Sequence, residues 1–203
     1  MLKRGILIVF SGPSGVGKDT ILATFMQTRS DCALSVSATT RSPRPGEVDG
    51  VHYHFVSKDE FRRMAEQGKM LEYAEYSGNC YGTPKEPAEA LLAAGKNVIL
   101  EIEPVGAMIV REKCPGAVFV FLMPPSVQML RNRLAGRGTE DEAAIQKRLD
   151  IAKTEMKAAG RYDYIIINNT VRESCEKLSA IITAAGCAVD NMADFIKEVL
   201  KDA

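Results

Sequence analysis

The stretch Ile6-Leu7-Ile8-Val9-Phe10-Ser11-Gly12-Pro13-Ser14-Gly15-Val16-Gly17-Lys18-Asp19-Thr20 decides the architecture of this chain. Its apolar run is far shorter than a membrane span, and a glycine-rich loop follows at once, so it reads as a buried first strand rather than a leader peptide. A glycine-rich loop that follows a strand and opens a helix can do specific chemistry. Gly12, Gly15 and Gly17 let the backbone curl until its N–H groups point inward, and together with the helix N-terminus they form a nest for phosphate oxygens. Lys18 adds a charge that can reach β- and γ-phosphates. The residue after such a lysine is normally Ser or Thr, whose hydroxyl touches magnesium. Here it is Asp19, and the hydroxyl comes one position later, at Thr20. Two ways of holding Mg2+ stay open: Asp19 touching it directly, or through water.

Outward from this loop, apolar runs alternate with helical patterns. The runs are Ile6–Phe10, Asn97–Leu100, Ala117–Leu122 and Tyr164–Ile167. The helices are expected near Lys18–Arg29, Pro104–Lys113, Ser126–Leu134, Glu140–Ala158 and Arg172–Ala185. Strands apolar on both faces, alternating with helices, predict an α/β fold: a parallel core sheet, taken as five-stranded, with helices on each side. From Ser35 to Tyr81 the rhythm breaks into shorter, more polar pieces, Val51–Val56 and Met70–Tyr76. Ser57 and Glu60 there make a capping-box pair, and Pro84 suits the start of another helix. This predicts a mixed β lobe inserted over about 35–83, with the core at 1–34 and 84–203, all within one domain. Residues 191–200 read as an amphipathic terminal helix.

Composition excludes several classes. The chain has 203 residues, 46% hydrophobic and 26% charged, which suits one globular domain. Its 26 basic residues balance 26 acidic ones, against a general nucleic-acid binder. No apolar stretch predicts a membrane span. Five cysteines without a Cys-x-x-Cys pair, and only two histidines, argue against a zinc site or a disulfide framework; reduced thiols in a cytoplasmic protein are the expectation. Nothing in the pattern chooses between monomer and homodimer.

A second constellation runs from Ser37 through Thr39-Thr40-Arg41-Ser42-Pro43-Arg44-Pro45-Gly46-Glu47 to Gly50-Val51-His52-Tyr53-His54-Phe55. Arg41 and Arg44, rigidified by two prolines, can converge on one anion, since guanidinium forks match phosphate oxygens. The spacing Thr39-x-Arg41-x-x-Arg44-x-x-Glu47-x-x-Gly50-x-x-Tyr53-x-Phe55 resembles the signature of the guanylate kinases. The resemblance continues at Glu72-Tyr73-Ala74-Glu75-Tyr76 and Tyr81-Gly82-Thr83, and covers nearly the whole chain up to Asn168. It implies the fold of P-loop nucleoside monophosphate kinases, with ATP as donor, GMP as acceptor and Mg2+ as cofactor. By this similarity Ser37, Glu72 and Thr83 contact guanine, with Gly82 beside them, while Arg41, Arg44, Tyr53 and Tyr81 hold the GMP phosphate. The chemistry agrees: guanine presents N1–H and N2–H₂ to a carboxylate and O6 to a hydroxyl, whereas adenine would turn an acceptor towards that carboxylate.

The segment Leu130-Arg131-Asn132-Arg133-Leu134-Ala135-Gly136-Arg137-Gly138-Thr139-Glu140, followed by Arg148, resembles the mobile lid of guanylate and adenylate kinases, taken as about 131–158. It implies that Arg137 and Arg148 stabilise the migrating phosphoryl group, with Arg137 also on ATP and Gly136 and Gly138 as a hinge. Glu101 and Glu103 end a buried strand, where open α/β sheets bind ligands. The family likeness places Glu101 near metal and acceptor, with Glu103 second, and Asn168 at the donor adenine. Val105 stands where the family often has Gln. Two alternatives remain on the sequence: a guanylate-kinase-like module that binds without catalysing, and a related kinase for another phosphorylated acceptor.

Overall fold

The computed structural model describes residues 4–76, 78–136 and 142–201. Five parallel strands form the core sheet, in the order β2-β7-β1-β8-β9. They are β1 (Leu7–Ser11), β2 (Cys32–Leu34), β7 (Asn97–Glu101), β8 (Val118–Met123) and β9 (Tyr164–Ile167). β1 lies at the centre, with Val9 paired to Leu100 of β7 on one side and to Phe119 of β8 on the other. Leu7 to Phe10 are all apolar, as suits a strand covered on both faces. One face packs on α1 (Lys18–Met26) and α7 (Val171–Gly186), where Ile8 and Phe10 meet Ile21, Phe25, Leu178 and Ile182. The other packs on α3 (Lys85–Ala93) and α4 (Pro104–Lys113), where Val9, Leu100 and Phe119 meet Ala88, Leu92, Ala107 and Val110.

The inserted segment forms a four-stranded sheet in the order β4-β3-β6-β5. Its strands are β3 (Ala38–Thr39), β4 (His54–Phe55), β5 (Met70–Tyr76) and β6 (Asn79–Pro84), with α2 (Lys58–Glu66) packed against them through Phe61. The sheet is mixed: β3 runs parallel to β4 and antiparallel to β6. Ser57 caps α2, its hydroxyl accepting the Glu60 N–H at 3.1 Å. α5 (Val127–Ala135) and α6 (Glu142–Met156) pack on each other through Leu130, Leu134, Ile145 and Leu149, and a 3-10 turn, Lys157–Arg161, leads into β9. The chain ends in α8 (Val189–Val199), none of whose residues is buried.

Several expectations need correction. β2 has only three residues, Cys-Ala-Leu, too few to carry a recognisable run. The strand expected over Val51–Val56 shortens to His54–Phe55, because residues 48–52 close a turn in which the His52 N–H bonds to the Val48 carbonyl. Tyr164–Ile167 is not apolar on two covered faces. As the sheet edge it exposes Tyr164, Ile165 and Ile167 and buries only Ile166. The first helix ends at Met26 rather than Arg29. The helix expected from Glu140 is described from Glu142, since 137–141 lie outside the described residues.

Phe121 is fully buried at the centre of β8, its ring edge-on to Tyr162 with centroids 4.9 Å apart. Phe121→Ala should destabilise the fold by about 3–5 kcal/mol through loss of burial and the cavity left behind. A urea titration checks this; a loss under about 1 kcal/mol would mean that the sheet closes over the gap.

Candidate active site

The loop after β1 is tied down from several directions. The Val16 carbonyl accepts from Arg133 Nη1 at 2.8 Å and from Asn168 Nδ2 at 2.7 Å. Gly17 takes φ 102°, a left-handed conformation that favours glycine, and a Cβ there would crowd the Asn168 amide at 3.1 Å. The same Asn168 accepts from the Ser174 hydroxyl through Oδ1, at 3.3 Å, and from Arg133 through its main-chain carbonyl. Asn168 is thus buried and its side chain engaged in holding the loop. Arg133, in the lid-like segment, is a second clamp on it.

Lys18 folds back over the loop it follows. Its Nζ donates to the Gly12 carbonyl at 2.8 Å and lies 3.6 Å from Glu103 Oε1. Ser14 receives α6 in two ways: its N–H donates to Glu155 Oε2 at 3.1 Å, and its hydroxyl accepts from Arg148 Nη2 at 2.9 Å. A carboxylate therefore sits where the loop offers an N–H to an anion. Sequence reading missed Glu155, and no local signal marks it, because its partner is a backbone N–H 141 residues away. Arg137 lies outside the described residues, as do Gly138, Thr139 and Glu140.

Asp19 is exposed on the first turn of α1, and Glu101 closes β7 beside it. Burial, and then the hydrogen bond and negative charge of Asp19, push the Glu101 carboxyl up to about 8. A like charge beside a buried carboxyl disfavours its ionised form. Thr20 follows, exposed, with its carbonyl accepting from Thr24.

Across from the loop, the mixed sheet builds an anion cage. Arg41 makes a two-pronged pair with Glu47, each N–O distance 2.9 Å, and lies over the Tyr53 ring at 5.4 Å from its centroid. Glu47 also accepts the Arg44 N–H at 2.6 Å, while the Arg44 side chain is exposed. This pairing draws the Glu47 carboxyl down to about 2. Glu47 stands in the sequence signature without a role; the structure shows it holding both arginine positions. Tyr53 and Tyr81 meet at 6.1 Å between ring centroids. Burial pushes the Tyr53 hydroxyl up to about 12, and Glu101 and Asp19 add to the rise. The charges that close β7 and open α1 are therefore felt at Tyr53.

The cage continues into a narrow polar seat. Glu72 and Thr83 lie directly opposite in the β5–β6 ladder. The Thr83 hydroxyl donates to Glu72 Oε1 at 2.8 Å, and both residues are buried. Burial lifts the Glu72 carboxyl above its usual range, against the pull of Thr83 and of Lys113. Gly82 precedes Thr83 and pairs with both Tyr73 and Ala38. Ser37 lies just before β3, half-buried, its carbonyl accepting from the His54 N–H at 2.8 Å. Val105, where the resemblance would lead one to expect Gln, is 67% exposed on the first turn of α4.

A parallel sheet with a phosphate loop at its centre, and a small β lobe facing that loop, is the fold of the P-loop nucleoside monophosphate kinases. Comparison with known proteins narrows the class. A family model described as guanylate kinase matches residues 4–185. A guanylate kinase of Halalkalibacterium halodurans is 49% identical over 185 residues, 91% of each chain. One of Lactococcus lactis is 48% identical, covering 100% of this chain and 98% of its own length. The crystal structure of guanylate kinase from Anaplasma phagocytophilum superposes with a TM-score of 0.75 at 34% identity, covering 91% of this chain and 88% of that one. The chain belongs to the guanylate kinase family, as the spacing of its arginines and tyrosines implies.

The Glu101 carboxyl yields a pH prediction. It titrates near 8 in the folded chain and near 4.5 in the ordinary state. Between those values the folded chain holds a proton that the unfolded chain has lost, so stability falls as pH rises through the window. The urea midpoint of the ligand-free protein should decline from pH 5 to pH 8, and Glu101→Gln should remove that part of the slope. An unchanged slope in the variant would count against the Asp19–Glu101 contact.

Proposed function

We propose that this chain transfers the γ-phosphoryl group of ATP to GMP, and to dGMP, giving ADP and GDP within purine nucleotide metabolism. The observation that carries the reading is the buried Glu72–Thr83 pair at the end of an arginine–tyrosine cage. A carboxylate in that seat accepts from guanine N1–H and N2–H₂. Because Thr83 gives its proton to Glu72, its oxygen faces the ligand as an acceptor, and Ser37 is the hydroxyl left to donate to O6. Adenine offers this seat an acceptor where it needs a donor, which leaves buried groups unpaired.

Arg41, Arg44, Tyr53 and Tyr81 receive the GMP phosphate. The Arg41 fork, now on Glu47, has the planar two-donor geometry that a phosphate also fits. Gly12 to Thr20 cradle the donor phosphates, Lys18 moving from the Gly12 carbonyl to a phosphate oxygen. Arg148 stands ready beside Ser14, and Arg137 is its proposed partner from the lid. Asn168 borders the donor site and fixes its loop. The acceptor needs no strong base, since a phosphate monoester is largely ionised above its second pKa of about 6. The chain's task is to align two polyanions and offset their repulsion.

The residues present suit Mg2+. Asp19 and Glu101 are neighbouring hard oxygen donors, and magnesium is commonly bound by one or two carboxylates plus substrate phosphates. Asp19 and Glu101, with Thr20, would hold it; Glu103 stays with Lys18. When bound, the ion neutralises charge on the donor phosphates. All five cysteines are free, which suits the cytoplasm, and among the described residues no helix is long and apolar enough to cross a membrane. Neither the non-catalytic module nor a kinase for another acceptor gains support from the comparisons: every relative reported above is named a guanylate kinase.

ADP release coupled to an optical readout, with ATP and each of GMP, dGMP, AMP, CMP and UMP, tests the reading; no turnover of GMP would overturn it. Arg41→Met should raise the KM for GMP by roughly tenfold to a hundredfold, as expected for a lost charged hydrogen-bond pair, and leave the KM for ATP within about twofold. Equal effects on both substrates would remove Arg41 from the acceptor cage.

A further inference from the structure

Among the described residues, Glu72 is the most deeply buried acidic side chain, at 3% exposure. Two backbone features make its seat. First, the register of β5 on β6 shifts between Met70 and Glu72. Strict alternation would send Leu71 and Glu72 to opposite faces of the strand, but a bulge lets both meet α4. Leu71 joins Ala107 and Val110 in the core, and Glu72 reaches Gly106.

Second, Gly106 leaves the space that the carboxylate fills. A Cβ there would stand 2.6 Å from Glu72 Oε2 and 3.3 Å from its Cδ, and the next atom, Ile102 Cβ, is 3.8 Å away. Only the carboxylate is in the way. Gly106 lies inside a helix and is not among the glycines with left-handed backbone, so conformation gives no reason for it. Alanine forms helix better. The carboxylate is held on its other side too: Oε1 takes the Thr83 hydroxyl, and Lys113, on the last turn of the same helix, donates to the Leu71 carbonyl at 3.0 Å. α4 therefore meets β5 at two successive residues, Leu71 and Glu72.

We infer that Gly106 is a positioning residue for the acceptor base: its missing side chain sets the depth and tilt at which Glu72 is presented. The inference rests on the reading of Glu72 as the group that accepts from guanine. A methyl group at 106 must push Oε2 from 2.6 Å out to ordinary contact beyond 3.4 Å. The displaced carboxylate then turns away from Thr83 and from the plane of the base. A shift of that size in a positioning group costs up to about a hundredfold.

Steady-state kinetics of four proteins test this: the wild type, Gly106→Ala, Glu72→Ala and the double variant. Gly106→Ala should raise the KM for GMP tenfold or more, by the scale of a displaced charged contact, and leave the KM for ATP within about twofold. In the Glu72→Ala background the same substitution should change the KM for GMP by less than about twofold, because residues acting as a unit do not add. Multiplying effects, or an equal rise for ATP, overturn the inference. A large effect of Glu72→Ala beside a silent Gly106→Ala overturns it alone. An unchanged GMP KM in Glu72→Ala overturns the guanine reading as well. Should Gly106→Ala prove insoluble, the double variant should be soluble, since the clash is gone; insolubility of both points to a packing role and also overturns the inference.

Discussion

Two phosphorylated substrates repel, and a site that joins them must hold several cations in fixed places without coming apart when empty. The chain meets this constraint with internal partners. Lys18 rests on the Gly12 carbonyl beside Glu103, Arg41 on Glu47, and Arg148 on Ser14. The loop N–H of Ser14 is occupied by Glu155. Each charge is thus already oriented, which lowers the ordering cost of binding. Each is also held by a contact that a phosphate can replace. The acids on the core side, Asp19 and Glu101, are the converse case: two like charges brought together, relieved by a proton or by a cation.

The elements that carry the cations also carry the proposed base seat, so charge and specificity would share one framework. β6 supplies Tyr81 to the proposed phosphate cage and, two residues on, Thr83 to the proposed seat. α4 starts beside the acids at the end of β7 and passes along Glu72. A change in how the small sheet rests on α4 therefore touches both recognition and alignment. The loop for the donor has a separate support, in Asn168, Arg133 and Ser174.

Much of this was legible in the sequence where the signal is periodic or spaced. The apolar run before Gly12 and the strand-to-helix position of the loop place the centre of the sheet, and the alternation that follows gives its parallel character. The arginine, tyrosine and glutamate spacing gives the family. What escaped has a common physical cause: it depends on partners distant in sequence or on elements too short to show a period. β2 and β3 have three and two residues. Glu155 acts on a main-chain N–H across the molecule, and Gly106 is an ordinary helical glycine until Glu72 is placed beside it. Asn168 and Arg133 also hold the loop itself, through contacts to Val16 that lie far away in sequence. β9 looked buried because its composition is apolar, but a strand at an edge has a neighbour on one side only.

The position of β1 sets an order for synthesis. This strand is synthesised before either of its neighbours, residues 98–101 and 118–121. Until residues 98–101 have emerged, Leu7–Ser11 has no sheet partner, and the loop behind it has no sheet to stand on. Pairings this far apart close late and slowly. This largely apolar strand thus waits for partners about ninety residues further on, a window in which capture by a chaperone, or by another nascent chain, competes with folding.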